Sequence, residues 1–324
     1  MIFLGVDVGG TKTDAILVND EGKVLSYFRG GPGNYQSIGR EKAFREIKRV
    51  VDGVLKKIGL EKNDITFAYF GIAGADTVKD FEIIRSILNG LALKRYDFDN
   101  DGRIALKSGT FDDIGIMVSC GTGSISYAYD GNNTHRVGGF SSFFGERLGS
   151  FYIAGFVMSA IMRSKDGRSP KTKLKKIVEN KLKMRVEDLM RYEYFDERTS
   201  INFVPLVIKS LFEGFNENGF IATKIFINIV EEVLNIVEAH RRVLNFKKPI
   251  KLVLEGTFFK RAGKSLIEMI KSALGDEFEV VVPKHDPVIG AILLAMEKAG
   301  LLVNRELFDK IVDSYLKFKK ELEL

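Results

Sequence analysis

The segment Asp-Val-Gly-Gly-Thr-Lys-Thr at residues 7–13 puts a carboxylate, two adjacent glycines, two hydroxyls and an ammonium within seven positions. Glycine has no Cβ, so backbone N–H groups around Gly9 and Gly10 can approach a phosphate closely, with Thr11 and Lys12 as further donors. Asp7 closes an apolar run and is placed to hold a phosphate-bound magnesium ion, through water. A polar hairpin with a glycine turn would read much the same. Two better-known phosphate motifs do not fit. Gly5 and Gly10 have the gap of a P-loop, but Thr11 stands where its lysine belongs and a strand follows instead of a helix. At Gly263-Lys264-Ser265 the first glycine position holds Phe258, and no Gly-x-Gly-x-x-Gly opens a helix after a strand.

A second glycine-hydroxyl turn follows at 120–124, where Cys120 leads into Gly121, Thr122, Gly123 and Ser124. One such turn says little; two at matching places could clamp a polyphosphate from both sides. The third feature is Asp101, within Asp-Asn-Asp-Gly-Arg at 99–103, a carboxylate between a strand end and a helix. Phosphoryl transfer to a hydroxyl needs such a group to orient the hydroxyl and accept its proton. A helix cap or Asx-turn is the structural alternative, and Asp99 competes for either role.

These residues must be positioned by the elements around them. Residues 2–7, 13–18 and 23–28 read as three strands separated by the Gly9–Gly10 bend and the Asp20-Glu21-Gly22 turn. A breaker-rich loop at 30–34 precedes a helical stripe over 37–58, then a strand at 66–72, a helix at 79–91 and a strand at 93–98. The plan of strand, glycine turn, strand, polar turn and strand starts again at residue 114 and runs to 138–140. Residues 150–245 are mostly helical, with one long amphipathic helix over 220–244. Strands at 250–254 and 278–282 and helices near 287–299 and 304–322 close the chain. The expected fold is α/β: two domains of one topology with a cleft between them.

Composition narrows the function classes. At roughly 150 residues per domain, 324 residues suit two domains, and 45% hydrophobic with 28% charged residues is ordinary globular usage. A lone cysteine, Cys120, can form neither an intramolecular disulfide nor a four-thiolate cluster. His135, His240 and His285 are scattered without metal-ligand spacing. The 49 basic and 43 acidic residues are interspersed, apart from a short basic run at 171–176, so no nucleic-acid partner is expected. No window is apolar enough for a membrane span, no leader pattern opens the chain, and one cysteine suits a reducing compartment, so a cytoplasmic location is expected.

The set DVGGTKT, GPGNY, GIAGAD, DGRIAL, CGTGS, VGG, LEGTFF and PVIGA, in that order from residue 3 to about 297, resembles the BadF/BadG-type ATPases. That group includes N-acetylglucosamine kinases and an archaeal broad-specificity hexokinase, within the actin-like sugar-kinase superfamily. The resemblance implies two ribonuclease-H-like (actin-like ATPase) domains, with ATP and Mg²⁺ bound across both and a sugar deep in the cleft. It implies that Asp7 is the magnesium-associated carboxylate, that Gly9, Gly10, Thr11 and Lys12 form the first phosphate loop, and that Gly121, Thr122, Gly123 and Ser124 form the second. Asp101 is similar to the catalytic base. Asn34, Gly74, Asp76 and Thr122 match sugar contacts, and Gly256, Thr257, Lys260 and Gly290 resemble the adenosine site.

One segment departs from the family. Where the kinases commonly carry Gly-Asp-Glu-Gly-Ser, this chain reads Gly145-Glu146-Arg147-Leu148-Gly149-Ser150. Glu146 falls on the sugar-contacting Asp, Arg147 inverts the next charge, and Phe140 stands where tryptophan is common. Arg147 could face an acidic acceptor, such as the lactyl group of N-acetylmuramic acid, or pair with a neighbouring acid.

The leading expectation is an ATP-dependent kinase acting on a hydroxyl of a hexose or N-acetylhexosamine. A dehydratase-activating ATPase of the same family would bridge an iron–sulfur cluster with two cysteines per subunit, which this chain lacks; a nucleotide sensor without sugar transfer is the other alternative. The expected domains are 1–112 and 113–303, the second with a helical insertion, and a terminal helix over 304–324 packing back on the first. The apolar helices after residue 200 are expected to pack into the core, with a homodimer face as the alternative.

Overall fold

The computed structural model describes residues 1–140, 142–189, 203–217 and 219–321; the expected helical stretch at 190–202 and the tail at 322–324 lie outside them. The chain forms two compact units, Met1–Gly115 with Pro283–Leu324, and Ile116–Val282.

In the first unit, β1 (Ile2–Val8), β2 (Thr13–Asn19), β3 (Val24–Gly30), β4 (Phe67–Ile72) and β5 (Tyr96–Asn100) form one sheet in the order β3-β2-β1-β4-β5. β1, β2 and β3 pair antiparallel, while β1, β4 and β5 run parallel. Strands covered on both faces read as nearly continuous apolar runs, as β1, β2 and β4 do. Leu4, Val6, Val8, Leu17 and Phe70 point to one face, into a core with Ile47, Val50 and Val54 of the helix Arg40–Lys56. Phe3, Ile16, Val18 and Tyr69 point to the other, packed with Ile104 of the helix Asp101–Thr110, Val288 and Ile292 of Val288–Lys298, and Ile311 of Arg305–Glu321.

The helix Val288–Lys298 is therefore part of the unit built by the N-terminal segment, not of a second domain ending at 303. All nine residues from Val288 to Met296 are buried, because the sheet covers one side and neighbouring helices the other. Gly290 permits the closest of these contacts: a Cβ there would stand 1.9 Å from the carbonyl oxygen of Ile104 and 2.9 Å from the Ser108 nitrogen.

The second unit repeats the sheet. β6 (Gly115–Cys120), β7 (Ser124–Tyr129), β8 (Thr134–Gly138), β9 (Ile250–Glu255) and β10 (Phe278–Val281) follow the order β10-β9-β6-β7-β8. β7 and β8 pair antiparallel; β6, β9 and β10 run parallel. Between β8 and β9 come the helices Ser150–Lys165, Leu174–Leu182, Val204–Asn216 and Phe220–Arg241. Their apolar stripes, including Val157, Leu211, Phe226, Ile229 and Val233, join Ile116, Val118, Leu252 and Leu254 in one core. The apolar stripes of the helices after 203 are thus spent largely on core packing.

Two of the scattered histidines meet here. Ser126 Oγ donates to the Met117 carbonyl at 2.6 Å, so at 2.8 Å it accepts from His240 Nε2. His240 Nδ1 then accepts from His135 Nδ1 at 3.1 Å. Burial, together with His135, pushes His240 down to about 3, and it stays neutral inside the fold. Among the described residues, no three His, Cys, Asp or Glu gather into a metal-holding group.

Substituting Gly290 should test the helix contact. Gly290→Ala is expected to cost about 2–3 kcal/mol, because two rigid backbones must separate. Gly155→Ala, whose added Cβ meets nothing within 4 Å, is the control and should be neutral or slightly stabilising. Urea unfolding followed by circular dichroism reads both.

Candidate functional site

The sheet of the first unit carries a charged rung. Ladder pairing sets Arg29 opposite Asp14, Asp14 opposite Asp7, Asp7 beside Gly71 and Gly71 beside Asp99, all on the face covered by the helix Val288–Lys298. Like charges directly opposite one another are unfavourable, so each carboxylate needs compensation. Asp14 has it in full: the Tyr27 hydroxyl and Arg29 Nε donate to it at 2.6 Å, Arg29 at 3.0 Å again, and Lys12 Nζ at 2.6 Å. Burial alone would raise Asp14, but these hydrogen bonds and the Lys12 charge hold it below the usual carboxylate range. Asp286, just before the helix Val288–Lys298, is half-buried and held low by Lys319 at 2.8 Å and Tyr315 at 2.6 Å from the terminal helix.

Asp7, unlike Asp14 and Asp286, keeps a high proton affinity. Desolvation, then the nearby Asp101 charge, pushes it up to about 8 from an ordinary 3.8; Asp14 and Asp286 add to the rise and Lys12 opposes it. A cation brought in by phosphate oxygens would compete with the proton for such a group. Magnesium keeps most of its water and takes one or two protein carboxylates beside substrate phosphates, so Asp7 fits it without a larger ligand set.

Loops converge on this end of β1. Gly9 N donates to the Lys12 carbonyl at 2.9 Å, closing the turn, and Gly33 N donates to the Gly9 carbonyl at 3.0 Å, tying the 30–34 loop to it. Ala73 N donates to the Val8 carbonyl at 2.9 Å. Asn34 caps a short turn by accepting from Gln36 N, while Gln36 Nε2 donates to the Gly74 carbonyl and to Asp80. Asn100 joins the next pair: its amide donates to Asp76 at 3.0 Å, and its carbonyl oxygen caps the helix Asp101–Thr110 through Gly102 N at 2.8 Å. Asp101 is the first helical residue, and its charge reaches Asp7. Asp99 accepts from its neighbour Asn100 N at 2.7 Å and lies 3.7 Å from Arg103. The sequence reading singled out neither Asp14, Asp286, Gln36 nor Asn100; a residue so close to Asp101 as Asn100 could have been noticed as an N-cap.

The second unit has its own loop. Gly121 N donates to the Gly123 carbonyl at 3.0 Å, and the start of the helix Ser150–Lys165 braces the turn, with Ser150 N on Gly121 O at 2.9 Å and Phe151 N on Thr122 O at 3.2 Å. Glu146 is buried and accepts from Phe140 N at 2.6 Å and from Ser124 N and Oγ at 3.3 Å. Leu148 explains part of the departure at 145–150. It is fully buried, and its carbonyl accepts from the Cys120 thiol at 2.6 Å, so it anchors this loop to the core while Arg147 stays exposed. Gly256 adopts φ +100°, and a Cβ there would stand 2.3 Å from the Cys120 carbonyl oxygen, so the loop before Thr257 lies against the second glycine turn. Lys260 pairs with Glu255 at 2.6 Å. Gly290 belongs to the other unit, where helix packing accounts for its lack of a side chain.

The chain is a two-unit α/β protein with a glycine-hydroxyl turn after the first strand of each sheet. Residues 4–295 match the BadF/BadG/BcrA/BcrD ATPase family, and the chain belongs to it. It is 27% identical over 313 residues to an N-acetyl-D-glucosamine kinase from Dictyostelium discoideum, covering 91% of this chain and 98% of the relative. It is 26% identical over 298 residues to an N-acetylmuramic acid/N-acetylglucosamine kinase from Clostridium acetobutylicum, covering 90% and 97%. Its fold is like that of a ROK family glucokinase from Streptomyces griseus, solved with glucose and AMPPNP, with a TM-score of 0.60 at 16% identity over 92% of this chain and 100% of that one. Among the described residues, no helix is long and apolar enough to cross a membrane.

Because protons and cations compete for Asp7, magnesium affinity should rise with pH up to about 8 and then level off. Titrating Mg²⁺ against the ADP-bound protein from pH 6 to 9 reads this, and Asp7→Asn should flatten the profile and weaken binding.

Proposed function

We propose that the protein is an ATP-dependent sugar kinase that transfers the γ-phosphate to a hydroxyl of a hexose or N-acetylhexosamine. One observation supports this above the others: Asp7, with its raised proton affinity, lies within the field of Asp101 at the end of the strand that leads into a glycine-hydroxyl turn. That combination suits a cation on a phosphate next to a group that takes a proton. The kinase names of the two curated relatives point the same way.

In this reading Asp101 accepts the proton of the sugar hydroxyl as its oxygen attacks the γ-phosphorus. The bond from the γ-phosphorus to the bridging oxygen breaks, and ADP leaves with the electron pair. Backbone N–H groups of Gly10, Thr11 and Lys12 in the first turn, and of Thr122 and Gly123 in the second, hold phosphate oxygens, while the N–H groups of Gly9, Gly121 and Ser124 fix the shape of the two turns. Mg²⁺, held from Asp7 through water, supplies charge neutralisation for the β- and γ-phosphates when bound. Asp14, itself held by Arg29 and Tyr27, accepts from Lys12 and so fixes the ammonium of the first loop in place. Asn34, Gly74, Asp76, Thr122 and Glu146 serve the sugar, and Gly256 with Thr257 the adenosine. Cys120 is buried and bonded to the Leu148 carbonyl, which leaves it unsuited to a cluster shared between subunits.

Asp101→Asn tests the role of the base. Sugar-dependent ADP formation should fall by about 10²–10⁴-fold while ATP affinity changes little. Unchanged turnover in this variant would overturn the assignment.

A further inference from the structure

The second unit contains a cavity of about 360 Å³ that the roles above leave unused. Part of its wall is chain that also shapes the second glycine turn. Arg147 follows Glu146, whose carboxylate accepts from Ser124, and Tyr152 follows Phe151, whose N–H donates to the Thr122 carbonyl. Asn228, Glu232 and Asn235 of the helix Phe220–Arg241 supply more of the wall.

The wall chemistry is selective. Tyr152 and Phe156 lie one helical turn apart with ring centres 6.4 Å apart and planes inclined by 10°, so two near-parallel aromatic rings line this part of the wall. Around the same space stand planar hydrogen-bonding groups: the Arg147 guanidinium, the two amides and the Glu232 carboxyl. A pyranose ring has this pair of features, a C–H face for the aromatic surface and ring hydroxyls that both donate and accept. The volume exceeds what a single substituent needs and falls within the range of sites that enclose a small molecule.

Charge decides between kinds of sugar. Glu231 and Glu232 both line the cavity against one guanidinium, so an anionic substituent meets more repulsion than attraction there. Burial raises the Glu232 carboxyl, Arg147 lowers it by its charge, and Glu146 raises it again, which places Glu146 within electrostatic reach of the cavity. An uncharged polyol avoids this conflict and can bridge between Arg147 and Glu232.

We propose that this cavity is a subsite for a second, uncharged sugar ring, so that the acceptor is a two-ring N-acetylhexosamine glycoside in preference to the monosaccharide. The proposal rests on the kinase reading in one respect, that the reacting ring lies at Glu146. Calorimetric titration without nucleotide tests it, using N-acetylglucosamine, its β-1,4-linked dimer and N-acetylmuramic acid. The dimer should bind about tenfold more tightly than the single ring, and N-acetylmuramic acid no more tightly than N-acetylglucosamine. Asn228→Ala and Tyr152→Leu, on different helices, should each bring the dimer to within about twofold of the monosaccharide and leave the monosaccharide unchanged. Equal binding of one and two rings, an advantage that survives both variants, preference for the acidic sugar, or no binding of any of the three would overturn it. The two-ring advantage should persist in Asp101→Asn. A wild-type protein that keeps the advantage yet transfers no phosphate to any acceptor would count against the kinase reading alone.

Discussion

Asp7 stands on the middle strand of its sheet, opposite Asp14 and within the field of Asp101 and Asp286. Four carboxylates so close would repel one another and unfold the region if all were charged and unpaired. Two of the four are neutralised from within the unit: Asp14 by Arg29, Tyr27 and Lys12, and Asp286 by Lys319 and Tyr315. These pairings draw on β2, β3, the first loop and the terminal helix, so much of the first unit serves to contain that charge. What stays uncompensated is centred on Asp7, and it makes this strand end receptive to a cation.

The same interaction explains why helices surround the site as they do. The helix Val288–Lys298 must lie flat on the sheet for Asp286 to reach Lys319 and Tyr315, and Gly290 lets the helix Asp101–Thr110 come up against it. The Asn100 cap then fixes where Asp101 starts that helix and links it to Asp76. In the second unit, bracing comes from burial instead of charge. Leu148 and Cys120 tie the segment after β8 to the core, leaving Glu146 directed at Ser124 and Arg147 outside.

Much of this was legible in the sequence. The repeated order of strand, glycine turn and strand was readable because the turns need glycine and the strands are apolar, and both sheets carry that order. Asp7 and Asp101 stood out because each ends a strand. Asp14 did not, since its partners Tyr27 and Arg29 are set by strand register, which local pattern does not fix. The place of Val288–Lys298 was misjudged for a related reason: its apolar residues would suit either core, and only the contact of Gly290 with Ile104, far away in sequence, decides between them. Likewise Leu148 looked like a lost glycine in a binding motif, whereas its side chain is a core anchor.

The most direct measurement is ADP release with Mg-ATP in the presence and absence of each of a panel of sugars, including glucose, glucosamine, N-acetylglucosamine and its β-1,4-linked dimer. The account predicts release that depends on an added sugar hydroxyl and is close to background without one. Release at the same rate with and without every sugar would contradict it, because the phosphate would then be passing to water.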